Sequence, residues 1–275
     1  MSINVAKNLG SKSKDILIKF YADHPDNYLD YLREESNSLI ICSYNVHGWV
    51  NINAKINVAD NFANILKLFQ DYDDIDILVL QEVCFRDYLT ENYIKEEFQK
   101  IGFNDSFSVP NGGCFLNSMK TDYIMILSKE KFQMKKEIDV TIARWKRSCL
   151  IVKYKSINIL AVHLEIGKSY HHLPINEYRK KIESDNTKDR IIQLNKLLNN
   201  DIDMIVGDFN FTPNDPEFKW LLDKEFIFCQ DLTHTTPFNR TDMVFIKDKI
   251  SNINNKSISC NYSDHLPIIS EIKIL

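Results

Sequence analysis

The ten residues Met204–Pro213 constrain this chain more than any other stretch. Met204, Ile205 and Val206 form a short apolar run of the kind that makes a buried strand, and Gly207 admits a turn or a close backbone approach. Asp208 and Asn210 follow at period-two spacing, so their side chains share one face. Pro213 bars continuation as an interior strand. A carboxylate and a carboxamide presented together at a strand end suit the orientation of a water and a phosphate oxygen beside a divalent cation. An Asx-rich turn leaving a core strand accounts for the same residues. The rest of the chain decides between the two.

The same pattern recurs. Ser38–Asn45, Asp76–Glu82, Tyr123–Ser128, Cys149–Tyr154 and Asn158–His163 read as strands, with Lys155-Ser156 as a tight connection between the last two. The chain closes with the strand-like runs Asp242–Ile246 and Leu266–Ile272. Between them, Ala59–Phe69 is amphipathic at helical spacing through Phe62, Ile65, Leu66 and Phe69, and Asp87–Ile101 and Glu177–Asn200 also read as helices. Two blocks of strands separated by helices predict an α/β protein of two packed sheets with helices outside. Asn45, Glu82, His163, Asp208, Asn210, Asp242, Asp264 and His265 all fall where such a run begins or stops. These are residue types that hold a hard cation and a phosphate. So many carboxylates in one cleft would repel one another, and a bound divalent cation resolves the conflict.

Of the 275 residues 44% are hydrophobic, enough for one large domain with or without an appendage. Residues 1–37 stand apart as two short helical pieces broken at His24-Pro25, packed on the main domain or docking a partner. The net charge of -4 argues against a general nucleic-acid coat, though not against a local basic patch. The six cysteines are scattered with no C-x-x-C pair, against zinc ligation. No apolar run suits a signal peptide or a membrane span, so an intracellular protein is expected.

Taken in order, Ser43-Tyr44-Asn45-Val46-His47-Gly48, Leu80-Gln81-Glu82-Val83, Ala161-Val162-His163-Leu164-Glu165, Gly207-Asp208-Phe209-Asn210, Thr241-Asp242-Met243-Val244 and Ser263-Asp264-His265-Leu266-Pro267 resemble the endonuclease/exonuclease/phosphatase superfamily. The resemblance covers residues 38–275. It implies a four-layer α/β sandwich, two packed mixed β-sheets flanked by helices, with a metal-dependent phosphodiesterase or phosphatase site at one end. Glu82 is then the principal metal ligand, supported by Asn45 and Asp264, and the ion is Mg2+, with Mn2+ as a substitute. The resemblance makes Asp208 the group that orients or deprotonates the attacking water, with Asn210 fixing its position. It has His265, oriented by Asp242, contact the scissile phosphate, and His163 contact another phosphate oxygen or assist the leaving group.

Arg147, and with it Arg144, stands where the family often places an arginine on substrate phosphate; an ordinary charged approach to the strand is the alternative. Trp145 suits stacking on a base or half-burial in the core. His171-His172 could border the cleft. The His163-Leu164-Glu165 form is similar to deoxyribonuclease I, neutral sphingomyelinases and the tyrosyl-DNA phosphodiesterase branch. Tyr123 departs from the family's usual glycine. The expected substrate is nucleic acid or a nucleic-acid adduct met in DNA processing or repair; a phospholipid or phosphorylated small molecule is the alternative.

Overall fold

The structure, a computed structural model, describes residues 37–51, 57–114, 117–142, 146–165, 175–229, 235–236 and 241–275, with the side chains of 113–120 and 175–183 left out. The expected helical pieces before residue 37, and Arg144, Trp145, His171 and His172, lie outside the described residues.

Leu39–Leu275 holds two six-stranded mixed sheets. β1 (Ser38–Asn45), β2 (Ile77–Cys84), β3 (Asp105–Cys114) and β4 (Asn117–Ser128) share the first sheet with β11 (Ile250–Ser257) and β12 (Ile268–Ile274), in the order β11-β12-β1-β2-β4-β3. The second runs β5-β6-β7-β8-β10-β9, from β5 (Met134–Asp139), β6 (Ser148–Tyr154), β7 (Ile157–His163), β8 (Met204–Asp208), β9 (Ile227–Phe228) and β10 (Asp242–Ile246). Among the described residues four α-helices flank them: α1 (Val58–Asp71), α2 (Glu91–Lys100), α3 (Ile175–Leu197) and α4 (Pro216–Leu222).

Period-two alternation builds the layers. Leu39 and Ile41 of β1 and Ile77 and Val79 of β2 join Leu150, Ala161 and Val206 of the second sheet in one buried cluster. The intervening Cys42, Tyr44, Leu78 and Leu80 face the other way and pack with Phe62, Ile65 and Phe69 of α1 and Ile94 and Phe98 of α2. On the far side of the second sheet, Leu194 and Leu197 of α3 and Leu221 of α4 cover β8 and β10 through Phe209 and Phe245. The result is the four-layer α/β sandwich that the sequence led us to expect.

Local chemistry sets the boundaries. α2 starts at Glu91 rather than Asp87 because Thr90 caps it, its Oγ1 accepting from Tyr93 N at 3.2 Å, while Arg86–Leu89 closes a turn. β12 starts after Pro267, which cannot donate to a ladder. The structure also holds β3, β5, β9, β11 and α4, none of which the apolar pattern marks. β5 (MKKEID) is mostly exposed, so no buried face betrays it.

Strand direction brings the polar ends together. β1 and β2 are parallel with Asn45 opposite Gln81, so Asn45 and Glu82 leave the first sheet at the same edge. β7 and β8 are parallel with His163 opposite Asp208. β10 runs antiparallel to β8 and starts with Asp242 opposite Asp208. Gly207 makes the β7–β8 approach possible: at φ 142° a Cβ there would lie 2.0 Å from Val162 O.

Candidate active site

Eight side chains named from the sequence meet at this edge. Asn45, fully buried, is their crossing point. Its Nδ2 donates to Glu82 Oε1 at 3.0 Å and to Asp208 Oδ2 at 3.1 Å, joining the two sheets. Glu82 reaches the site from a register shift between Leu80 and Val83, where β2 bulges against β4 and Glu82 takes φ 54°. Such backbone in a non-glycine residue is strained, and it aims the carboxylate out of the pleat. Glu82 ionises at about 2: burial opposes the charge, but His47, His163 and Asn45 stabilise it by more.

On the second sheet Asp208 is buried, its Oδ1 accepting from Asn210 N at 2.9 Å. Burial, and then the charge of Asp242, raise its pKa. Asn210 has φ 53°, a conformation asparagine tolerates, and its Nδ2 donates to Leu164 O at 3.0 Å. Arg190 of α3 holds the same turn, donating from Nη1 to Asn210 O at 2.8 Å and from Nε to buried Glu217 at 2.7 Å.

The loop before β12 completes the edge. Ser263 Oγ donates to Asn45 O at 2.7 Å, and its contacts with Asp264 Oδ1 and His265 N fix that loop. His265 Nδ1 lies 2.8 Å from Asp242 Oδ2, and its Nε2 lies 3.9 Å from Asp208 Oδ2. Burial works against the imidazolium, yet Asp242, Asp208 and Asp264 raise its pKa to about 10. His265 is therefore a cation at neutral pH.

His163 is 3% exposed, and neither ring nitrogen has a hydrogen-bond partner among the described residues. Its Nε2 is 3.6 Å from Glu82 Oε1 and 4.0 Å from Asp208 Oδ2. Burial, and then Arg147, lower its pKa. A buried imidazole without partners, aimed between two carboxylates, fits a site meant to hold something more. Its backbone is clamped: Asn111 Nδ2 and Arg147 Nη1 both donate to His163 O, at 3.1 and 3.0 Å.

Arg147 is more enclosed than its sequence position suggests. Nη1 also donates to Asn111 Oδ1 and Leu164 O, and Nε lies 3.2 Å from Glu165 Oε2. These atoms brace the end of β7.

Among the described residues one grouping of His, Cys, Asp and Glu has its donor atoms close enough together for a cation. Donor atoms of Asp208, Asp242 and His265 lie within 4.8 Å of one another, but there the imidazole is already oriented by Asp242. On the Glu82 side, His47 Nδ1 stands 3.4 Å from Glu82 Oε2 and 3.5 Å from Asp264 Oδ1. His47 was not singled out from the sequence. Its signal was available: it follows Asn45 by two residues, the spacing that paired Asp208 with Asn210. Asn111 and Arg190 carried no comparable signal, because each acts through the backbone of a distant segment.

Residues 42–265 match the model of the Endonuclease/Exonuclease/phosphatase family. A search of curated proteins returns no match. Among solved structures, the chain resembles an endonuclease/exonuclease/phosphatase from Beutenbergia cavernae (TM-score 0.67, 14% identity, 86% of this chain and 72% of that one). It also resembles the human Nocturnin catalytic domain with bound sulfate anion (TM-score 0.65, 15% identity, 87% and 95%). A third likeness is to D. rerio TDP2 complexed with single strand DNA product (TM-score 0.60, 19% identity, 86% and 99%). At these identities the likeness is one of fold.

Proposed function

Because the chain belongs to the Endonuclease/Exonuclease/phosphatase family, we propose that it is a divalent-cation-dependent phosphodiesterase acting on nucleic acid or a nucleic-acid adduct. The observation that carries this is the buried, partnerless His163 facing Glu82 and Asp208 across a site drawn from both sheets. Glu82, Asn45 and Asp264 would hold magnesium or manganese, which when bound supplies charge neutralisation and polarisation of a phosphoryl oxygen.

The chain's own groups do the remaining work. Asp208, held by Asn45 and by the Asn210 amide, orients the attacking water and accepts its proton; a carboxylate with a raised pKa is the better base for that step. Asn210 fixes the water's position. His265 stays protonated against Asp242 and donates from Nε2 to a nonbridging oxygen, where charge develops. His163 donates to a second phosphate oxygen, which gives its partnerless ring nitrogen a bond. The D. rerio TDP2 structure with single strand DNA product supports nucleic acid as the substrate class.

A second reading, a phospholipid or small phosphate ester, draws on the rim. Arg147 spends Nη1 and Nε inside the protein, and exposed Lys146 pairs with Glu137 at 2.7 Å. The purified protein with magnesium or manganese should be offered abasic DNA, single-stranded DNA and RNA, a 5′-tyrosyl oligonucleotide, sphingomyelin and inositol phosphates. Cleavage confined to the nucleic-acid substrates is expected. Turnover of only sphingomyelin or inositol phosphates moves the assignment to the second reading, and no turnover of any overturns both.

A further inference from the structure

The turn that follows β8 is tied to the helix layer by a buried arginine. Arg190 of α3 is 6% exposed and reaches two segments at once: Nη1 donates to Asn210 O at 2.8 Å, and Nε donates to Glu217 Oε1 of α4 at 2.7 Å. Its guanidinium carbon lies 6.0 Å from the centre of the Phe211 ring, which packs edge-on against Phe209. Gln193 stands three residues on, on the same face of the helix. Its Oε1 accepts from Glu165 N at 3.0 Å, and its Nε2 donates to Val140 O at 3.3 Å. One helix face thus grips the chain just past Asp208 and just past His163. Asn210 Nδ2 bonds Leu164 O between the two grips.

Stability does not account for this arrangement. Glu217 is fully buried, and its Oε2 has no hydrogen-bond partner among the described residues. Two charges taken out of water and left partly unsatisfied repay little, and apolar side chains of similar volume often serve a core as well or better. A planar guanidinium offers what they cannot: donors in fixed directions, one for a carboxylate and one for a carbonyl. Asn210 needs such a hold. It sits at φ 53°, its N donates to Asp208 Oδ1 at 2.9 Å, and the direction of its carbonyl sets how the turn leaves the strand.

We propose that Arg190, with its charge balanced by Glu217, is a positioning residue: it fixes the Asp208–Asn210 turn, and through it the two side chains that hold the attacking water. This rests on the phosphodiesterase reading above and deepens it. Arg190 acts through the Asn210 carbonyl rather than on the substrate, so its removal lowers kcat and leaves KM nearly as it is.

The test replaces both partners at once, because Arg190→Met alone leaves the Glu217 charge buried and unpaired. Steady-state kinetics on the substrate found in the panel above, thermal melting, and hydrogen–deuterium exchange of the assigned Asn210 amide are measured on wild type and on Arg190→Met/Glu217→Met. The double variant is expected to melt near the wild type and to lose about tenfold to a hundredfold in kcat, with KM within about twofold. Its Asn210 amide should exchange about tenfold faster or more, while Ile205 and Val206 of β8 keep their protection. Arg190→Lys, which keeps the charge beside Glu217 but lacks the fork, should show the same pattern, and serves alone if the double variant does not fold. A kcat within about twofold of wild type overturns the proposal. So does an unchanged Asn210 amide, or exchange that quickens equally through β8, since either makes Arg190 structural only. If wild type turns over nothing in the panel, the phosphodiesterase reading falls, and the Asn210 exchange still decides whether Arg190 sets the turn.

Discussion

His265 Nδ1 and Asp242 Oδ2 meet at 2.8 Å on a fully buried carboxylate, so the pair is an imidazolium–carboxylate bond shielded from water. Asp242 opens β10 and His265 precedes β12, which places the two partners on different sheets.

Asp242→Asn should remove a buried partner and cost about 3–5 kcal/mol in metal-free protein near neutral pH. The His265 pKa is raised from 6.5 to about 10, so the stabilisation is complete below pH 6.5 and lost as pH climbs through 10. The gap between wild type and Asp242→Asn in denaturant unfolding should therefore narrow from pH 6.5 to 10. A gap that widens over this range would contradict a charged His265.

Asp208→Asn should reduce turnover by about a hundredfold or more. It should leave the metal-free fold as stable as wild type or more so, because it removes a buried carboxylate repelled by Asp242. Steady-state rates and thermal melts of the same preparation separate the two effects. Near-normal turnover would mean that Asp208 is not the group that handles the water.

Saturating divalent cation should raise the stability of the wild type, by about 2.7 kcal/mol at a hundredfold excess over the dissociation constant. Glu82→Gln should lose most of that gain. Chelator should return wild type to the metal-free melting temperature and abolish turnover. An enzyme fully active in chelator would rule out the cation.

Gly207→Ala should be among the most damaging single changes in the chain. The new Cβ would lie 2.0 Å from Val162 O at a φ of 142°, so β7 and β8 must part or the strand must bend. A loss of about 3 kcal/mol or more, or failure to fold, is expected in chemical denaturation.

The sandwich was legible where burial imposes a pattern. β1, β2, β7, β8 and β10 each bury both faces over most of their length, and each is visible as an apolar run. β5 and β11 were not, because edge strands with exposed charge obey ladder pairing rather than burial. Of the site, the side chains at strand ends were legible because polar residues close one apolar run after another, in the order of the motifs that resemble the family. His47 escaped because its place depends on a left-handed turn, which spacing alone does not announce. Arg147 stands out in the sequence only by its position before β6, and its enclosure by Asn111, Glu165 and two carbonyls depends on three separate segments meeting.

Asn45 donates from a strand of one sheet to Asp208 on the other. The apolar contacts between the sheets tolerate sliding, whereas this amide bond, like the His265–Asp242 and Asn111–His163 bonds beside it, tolerates almost none. Alignment of the two halves is thus gauged at the reacting centre itself. A core substitution far from the site, such as one at Ile126 or Leu150, can leave the chain folded while shifting one sheet by a fraction of an ångström. Its first symptom would be a slower enzyme, so among variants of the sandwich interior turnover should be the more sensitive gauge of packing than the melting temperature.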